Sequence, residues 1–154
     1  MVTVLEPRRV EDALPLFFFG TLVDPDILGL VIGRPVEPGE LEPARLFGFR
    51  RVRVQGASYP MLVPDPAGRV EGRLWRGGTA EERARLDAYE GPGYRLEPVV
   101  VETASGDRAA ALVYQAVPGA LRPTDEAWDL ASWQARFKPL YLAQGPALVG
   151  AELP

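Results

Sequence analysis

The sequence predicts an α+β fold, a small mixed β-barrel of five to six strands flanked by two to three helices. Three observations carry this expectation. A strand from Glu42 to Val54 holds Gly48 in its middle, where a closed sheet needs a bend. Sixteen glycines and sixteen prolines in 154 residues imply many turns and short strands. Two stretches, beginning at Asp24 and Thr79, carry helix start and stop signals. The length suits one domain with a real core, expected over residues 15–154, with residues 1–14 as a lead-in.

Leu16-Phe17-Phe18-Phe19 is a short apolar run and predicts a buried strand. Gly20-Thr21-Leu22-Val23 follows as a turn. Asp24-Pro25-Asp26 then supplies an N-cap, a proline at the first helical position and an early acid. Ile27 to Ile32 continues this helix and Gly33 ends it. A turn between a buried strand and a helix start leaves backbone N–H groups free to meet an anionic or carbonyl oxygen. Gly20 lets a ligand approach the backbone closely. On three residues alone, an ordinary strand-to-helix turn fits equally.

The long strand reads Leu46-Phe47-Gly48-Phe49-Arg50-Arg51-Val52-Arg53-Val54. Its alternation predicts Arg51 and Arg53 facing solvent together. It leaves Arg50 as a candidate for an inward arginine holding a substrate carboxylate. Met61 to Val63 predicts a short strand, Asp65-Pro66-Ala67-Gly68 a turn, and Arg69 to Trp75 another strand. Tyr59 is held extended by Pro60 and is either pocket wall or core.

Thr79 and Glu82 form a capping box at the start of the second helix, with Glu81 and Glu82 in its first turn. Gly91 stops it and Pro92 forbids continuation. Tyr94 to Thr103 and Arg108 to Gln115 predict a hairpin around Ala104-Ser105-Gly106-Asp107. Tyr94 either starts its strand or lines a pocket mouth. A last helix is expected from Thr124, with Asp125 and Glu126 in its first turn. Its apolar stripe would be Trp133, Phe137, Leu140 and Tyr141, kinked or broken by Pro139. Trp128, Trp133, Phe137 and Tyr141 are expected as core packing.

Glu90 breaks a rule that the rest of its helix obeys. A helix C-terminus carries partial negative charge, so an acid in the last turn is disfavoured. Glu90 sits there and shares a face with Leu86, four residues earlier. An acid at that end, leaning toward an apolar face, should have a raised pKa, as a general acid/base requires. A solvated surface acid fits the position as well. Asp87, three residues before it, is expected as a helix-surface acid, the alternative being a second carboxylate on the same face that raises one pKa further.

Composition narrows the chemistry. Apolar residues make up 47% and charged ones 25%, ordinary for a soluble protein. The net charge of -4 and the lack of a basic stripe speak against a nucleic-acid partner. Cysteine and histidine are both absent, which removes disulfides, thiol chemistry and Ser-His mechanisms. Acid/base work near neutral pH then falls to a perturbed carboxylate, a tyrosine or the lone Lys138. No apolar stretch approaches about 20 residues, so no membrane span is expected. The N-terminus lacks a signal-peptide core, and a cytoplasmic location is expected.

Several motifs together resemble the gamma-glutamylcyclotransferase-like superfamily, in particular its bacterial gamma-glutamylamine cyclotransferase-like members. They are Phe19-Gly20-Thr21-Leu22, Tyr59-Pro60-Met61-Leu62-Val63-Pro64, Val70-Glu71-Gly72-Arg73-Leu74-Trp75, Leu86-Asp87-Ala88-Tyr89-Glu90-Gly91-Pro92-Gly93-Tyr94 and Ala111-Leu112-Val113-Tyr114. Each is weak alone; their order and spacing make the set specific, over roughly Leu16 to Gln115. The family's usual tyrosine in the first motif is Phe19 here, which keeps the packing but loses a hydroxyl.

The resemblance implies the same barrel fold, a small gamma-glutamyl substrate and no metal or organic cofactor. It implies that Glu90 moves a proton from the substrate α-ammonium to the leaving amine while the α-nitrogen attacks the γ-carbonyl, releasing 5-oxoproline. Phe19, Gly20, Thr21, Leu22, Tyr59 and Tyr94 would bind the substrate. Two other readings stand beside it: an amide hydrolase or acyltransferase on the same scaffold, and a non-catalytic small-molecule binding domain. Neither the leaving amine nor an oligomeric state follows from the sequence.

Overall fold

A computed structural model describes residues 14–144. The expected lead-in up to residue 13 and the last ten residues lie outside them. The expected barrel is present, with a sixth strand on its rim. Strand β1 is Leu16–Phe18, all buried. A 3-10 turn, Thr21–Val23, connects it to helix α1, Pro25–Ile32. Asp24 caps α1 by accepting from the amides of Asp26 and Ile27, as its sequence signature predicts. Strand β2 is Leu41–Val54 and β3 is Pro60–Trp75. Helix α2, Ala80–Glu90, starts with both halves of the Thr79/Glu82 capping box in place. Strands β4, Tyr94–Thr103, and β5, Arg108–Ala116, form the expected hairpin.

Closure follows from the pairings. β3 is antiparallel to β1, β1 parallel to β5, β5 antiparallel to β4, β4 antiparallel to β2, and β2 antiparallel to β3. Five strands therefore form a closed mixed barrel. Gly48, at φ 92, lies where the β2–β3 register shifts between Phe47 and Phe49. Only a glycine takes that conformation without strain, and it supplies the bend.

The stretch from Met61 to Trp75 departs from expectation. It is one continuous strand, not two strands and a turn. Phe47 pairs with Arg69 and Phe49 with Pro64, so Asp65 to Gly68 bulge out against a single residue of β2. The turn chemistry is present locally: the Ala67 amide donates to Asp65 Oδ1 at 3.1 Å. Pairing with β2 on both sides of it keeps the strand intact.

The C-terminal part also differs. Pro123–Ala127 is strand β6, antiparallel to the rim of β2, and not the start of a helix. The open edge of β2 takes this segment: the Gln55 amide donates to the Arg122 carbonyl, and the Thr124 hydroxyl to the Arg53 carbonyl. The helix begins at the next available cap, Asp129, whose carboxylate accepts from the Ser132 amide. It then divides into α3, Leu130–Arg136, and α4, Lys138–Gln144, with Pro139 in the first turn of α4. The described residues thus carry four α-helices.

Alternation along β1 divides the core. Phe17 and Phe19 point into the barrel with Ala44, Leu46, Leu62, Val70, Leu74, Val101, Ala111 and Val113. Leu16 and Phe18 face the helices, against Ile27, Leu28, Val31, Leu86, Trp133 and Tyr141. Trp128, Trp133 and Tyr141 are buried there, as expected; Leu140, placed on the same stripe by its spacing, is half exposed. Helix α2 buries only Leu86 completely, worth about 2 kcal/mol. Its arginines supply the rest of its docking: Arg83 donates to the Leu14 carbonyl and Arg85 to the Val31 carbonyl. No helix among the described residues is long and apolar enough to cross a membrane.

Candidate active site

A cavity of about 540 Å³ opens where α2 ends beside the end of β1. Glu90, Phe19, Gly20, Thr21, Leu22, Tyr59 and Tyr94 all line it. The seven residues singled out in the sequence are therefore brought to one place. Glu90 is the single charged residue in the wall among the described residues.

The first wall is the turn after β1. The strand is buried on both faces, so its end is held rigidly. The first N–H groups of a 3-10 turn have no partner inside it. Here the turn closes through the Val23 amide on the Gly20 carbonyl and the Asp24 amide on the Thr21 carbonyl. The amides of Gly20, Thr21 and Leu22 are left outside those bonds. A Cβ on Gly20 would lie 3.1 Å from the Pro60 ring, so close packing also favours glycine there. Phe19 is buried with its ring in the barrel interior, and it brings no hydroxyl to the cavity.

The second wall is the end of α2. Glu90 is its last residue, and the following Gly91, at φ 79, turns the chain back toward β4. The Glu90 carboxyl is enclosed and receives no hydrogen bond from a described residue. Burial, and then the negative charge of Asp87, push its pKa up to about 8. Its surface is half-buried, since one side faces the cavity. Tyr89 ties this helix end to the first wall: its hydroxyl is hydrogen-bonded to Thr21 Oγ1.

Two expectations about nearby residues change, those for Arg51 and Arg50, while both readings of Asp87 hold. Asp87 is exposed, yet it does more than decorate the helix: it accepts from the Tyr114 hydroxyl at 2.6 Å and raises Glu90. Arg51 does not face solvent with Arg53. It turns inward, donating to the Phe19 carbonyl at 2.7 Å and lying over Trp128. Arg50 points outward, near Asp65, and does not line this cavity. A strong backbone acceptor on one side and an aromatic face on the other outweigh the period-two prediction at Arg51.

The chain has five tyrosines, and all five line this cavity: Tyr59, Tyr89, Tyr94, Tyr114 and Tyr141. Sequence reasoning singled out two. The Tyr94 hydroxyl donates to the Pro60 carbonyl at 2.8 Å, and its ring lies 6.3 Å from that of Tyr59. Tyr141 pairs with Ser58 Oγ. Burial raises the pKa of Tyr89, Tyr94, Tyr114 and Tyr141, and the Glu90 charge adds to each. They stay neutral across the physiological range and can serve as donors. Tyr89 could have been found from its place beside Glu90. Tyr114 and Tyr141 carry no local signal, because a pocket tyrosine and a core tyrosine have the same spacing.

This geometry offers an enclosed carboxyl, a set of backbone donors and a neutral aromatic wall. Among the described residues no three potential metal-ligating side chains cluster.

Comparison with known proteins places these features in context. The family model described as gamma-glutamyl cyclotransferase, AIG2-like, matches residues 16–135. AIG2-like protein A of Arabidopsis thaliana is 30% identical over 136 residues, covering 86% of this chain and 81% of its own. The solution structure of another Arabidopsis thaliana protein superposes with a TM-score of 0.64 at 28% identity, covering 85% of this chain and 87% of that one. A structure titled gamma-glutamyl cyclotransferase shares the fold, with a TM-score of 0.53 at 17% identity over 68% of this chain and 66% of its own.

Proposed function

The chain belongs to the gamma-glutamyl cyclotransferase, AIG2-like family, and from that premise we propose that it cyclises a small gamma-glutamyl compound, releasing 5-oxoproline and a free amine or amino acid. The observation that carries this reading is Glu90, the one carboxyl among the described residues of an aromatic-lined cavity, with its pKa raised to about 8.

The substrate enters with its α-nitrogen protonated. Its positive charge beside Glu90 favours the carboxylate form, and no other described residue of the wall carries a charge that can meet it. Glu90 takes a proton from the ammonium, and the freed nitrogen attacks the γ-carbonyl carbon. A five-membered ring forms and negative charge builds on the carbonyl oxygen. The Gly20, Thr21 and Leu22 amides stand ready as donors for that oxygen or for the α-carboxylate. Glu90 then returns its proton to the departing nitrogen, the C–N bond breaks, and the second proton of the ring nitrogen passes to the freed amine, which leaves as its ammonium. No water is consumed. Folding the substrate toward its ring-closing shape supplies several kcal/mol of the catalysis.

Phe19 supports a second reading, a binding domain without turnover, because the first wall lacks a tyrosine hydroxyl. The test is 5-oxoproline release from gamma-glutamyl amines, gamma-glutamyl amino acids and glutathione. Wild type should release it from at least one class, and Glu90→Gln should lose about 100-fold or more. Full turnover by Glu90→Gln removes Glu90 as the base. Ligand binding with no product favours the binding domain.

A further inference from the structure

Arg51 is a half-buried cation outside the cavity wall. It lies on β2 opposite Leu62 of β3, and its guanidinium reaches beneath the end of β1. Nη1 donates to the Phe19 carbonyl at 2.7 Å and to the Glu71 carbonyl at 3.1 Å. The group lies 5.2 Å from the Trp128 ring centroid. Its Nε is buried with no acceptor. The carboxylates of Asp129 and Glu71 act on it only through space, and burial holds its pKa below the usual arginine value. A neutral donor would satisfy two backbone carbonyls at far lower desolvation cost. A full charge at this place therefore points to a task beyond filling the sheet.

The task follows from peptide geometry. No described peptide bond is cis, so the Phe19 C=O and the Gly20 N–H, which share one planar unit, point in opposite directions. Arg51 holds the oxygen on the side away from the cavity, since Arg51 itself does not line it. The Gly20 N–H is thereby turned to the side where Gly20 does line the cavity. It has no backbone acceptor among the described residues. A bond to the carbonyl also polarises the amide and strengthens its N–H as a donor.

We propose that Arg51 is a positioning residue that clamps the Phe19–Gly20 peptide, aiming and strengthening the Gly20 N–H as the donor to the oxyanion formed during cyclisation. The catalytic half of this inference rests on the cyclotransferase reading; the clamp itself does not. The donor acts on charge that develops only in the transition state, so its loss appears in kcat.

The test compares Arg51→Met and Arg51→Lys with wild type, by steady-state kinetics and by the amide resonance of Gly20. Arg51→Met keeps length and burial but removes charge and donors. Its kcat should fall about 10- to 100-fold, with KM changed by less than about threefold. The pH dependence set by Glu90 should not move. The Gly20 amide proton should shift upfield. Arg51→Lys retains one donor and should recover part of both effects. A folded Arg51→Met with unchanged kcat, or one that raises only KM, overturns the catalytic half. An unmoved Gly20 amide overturns the clamp. If Arg51→Met does not fold, Arg51→Lys decides: wild-type kcat and an unmoved amide reject the proposal. A wild type that forms no 5-oxoproline rejects the oxyanion role together with the proposed function, while the amide shift still judges the clamp.

Discussion

With its carboxyl at about 8, Glu90 is mostly protonated at neutral pH. The kcat/KM of the wild type should therefore rise through an apparent value near 8, which reports the free enzyme. The substrate ammonium favours the carboxylate, so the corresponding limb of kcat should lie lower. A kcat/KM profile flat from roughly pH 6 to 9 would count against Glu90 as the base. The same residue sets a stability trend. Its folded pKa exceeds the ordinary 4.5, so the folded state binds more protons between those values, and stability falls as pH rises across that window. Glu90→Gln cannot ionise. It should match wild type near the acid end of the window and melt higher above its upper end. Each kcal/mol gained should raise Tm by about 2–4 °C. Thermal scans of both proteins across the window check it; a constant Tm difference would show that burial does not disfavour the charge.

At the scale of elements, the barrel depends on how closely its strands approach. A Cβ at Gly72 of β3 would lie 2.2 Å from the Phe18 carbonyl oxygen and 2.7 Å from the Phe17 ring. Backbone cannot yield that far without breaking the β1–β3 pairing. Gly72→Ala should cost about 3 kcal/mol and loosen the end of β1, where the cavity turn begins. Gly48 is the contrast: its Cβ would meet nothing within 4 Å, and only its positive φ resists substitution. Gly48→Ala should cost about 1–2 kcal/mol and leave the cavity intact. Urea unfolding of the two variants separates steric from conformational cost; equal losses would reject the distinction. Strand β6 ends the sheet with Asp125 and Glu126 exposed on an open rim, which discourages edge-to-edge association.

For the whole molecule, Asp24 joins distant parts of the chain. Its carboxylate is buried, caps α1, accepts from Gln134 of α3 at 2.8 Å and pairs with Lys138 of α4 at 2.8 Å. Burial alone would raise its pKa; the bonds from Lys138, Gln134 and the two amides outweigh it and hold it below the ordinary value. The stability it contributes is thus fully present above the unfolded value of 3.8 and is lost as pH falls through the folded one. Asp24→Ala should cost about 2–3 kcal/mol near neutral pH, since Lys138 keeps Asp26 as a second partner. Its deficit should shrink in acid. A deficit independent of pH would mean that the charge contributes nothing.

What the sequence determined by itself is whatever is encoded within a few residues. The Asp24-Pro25 and Thr79/Glu82 helix starts, the buried run at Leu16, the Gly48 bend and the misplaced acid at Glu90 are local hydrogen-bond and dipole effects, and local pattern states them. What only the tertiary structure decided depends on partners far along the chain. The Asp65–Gly68 turn became a bulge because β2 pairs on both sides of it. Thr124 lost its helix to the open edge of β2, and Asp129 took the cap. Arg51 turned inward because the Phe19 carbonyl and the Trp128 face lie 32 and 77 positions away, at the end of its side chain. Five tyrosines spread from residue 59 to residue 141 face one cavity because barrel closure and the α3–α4 return bring them there. Burial, charge and pairing at such distances arise from strand closure, and closure is a property of the whole chain.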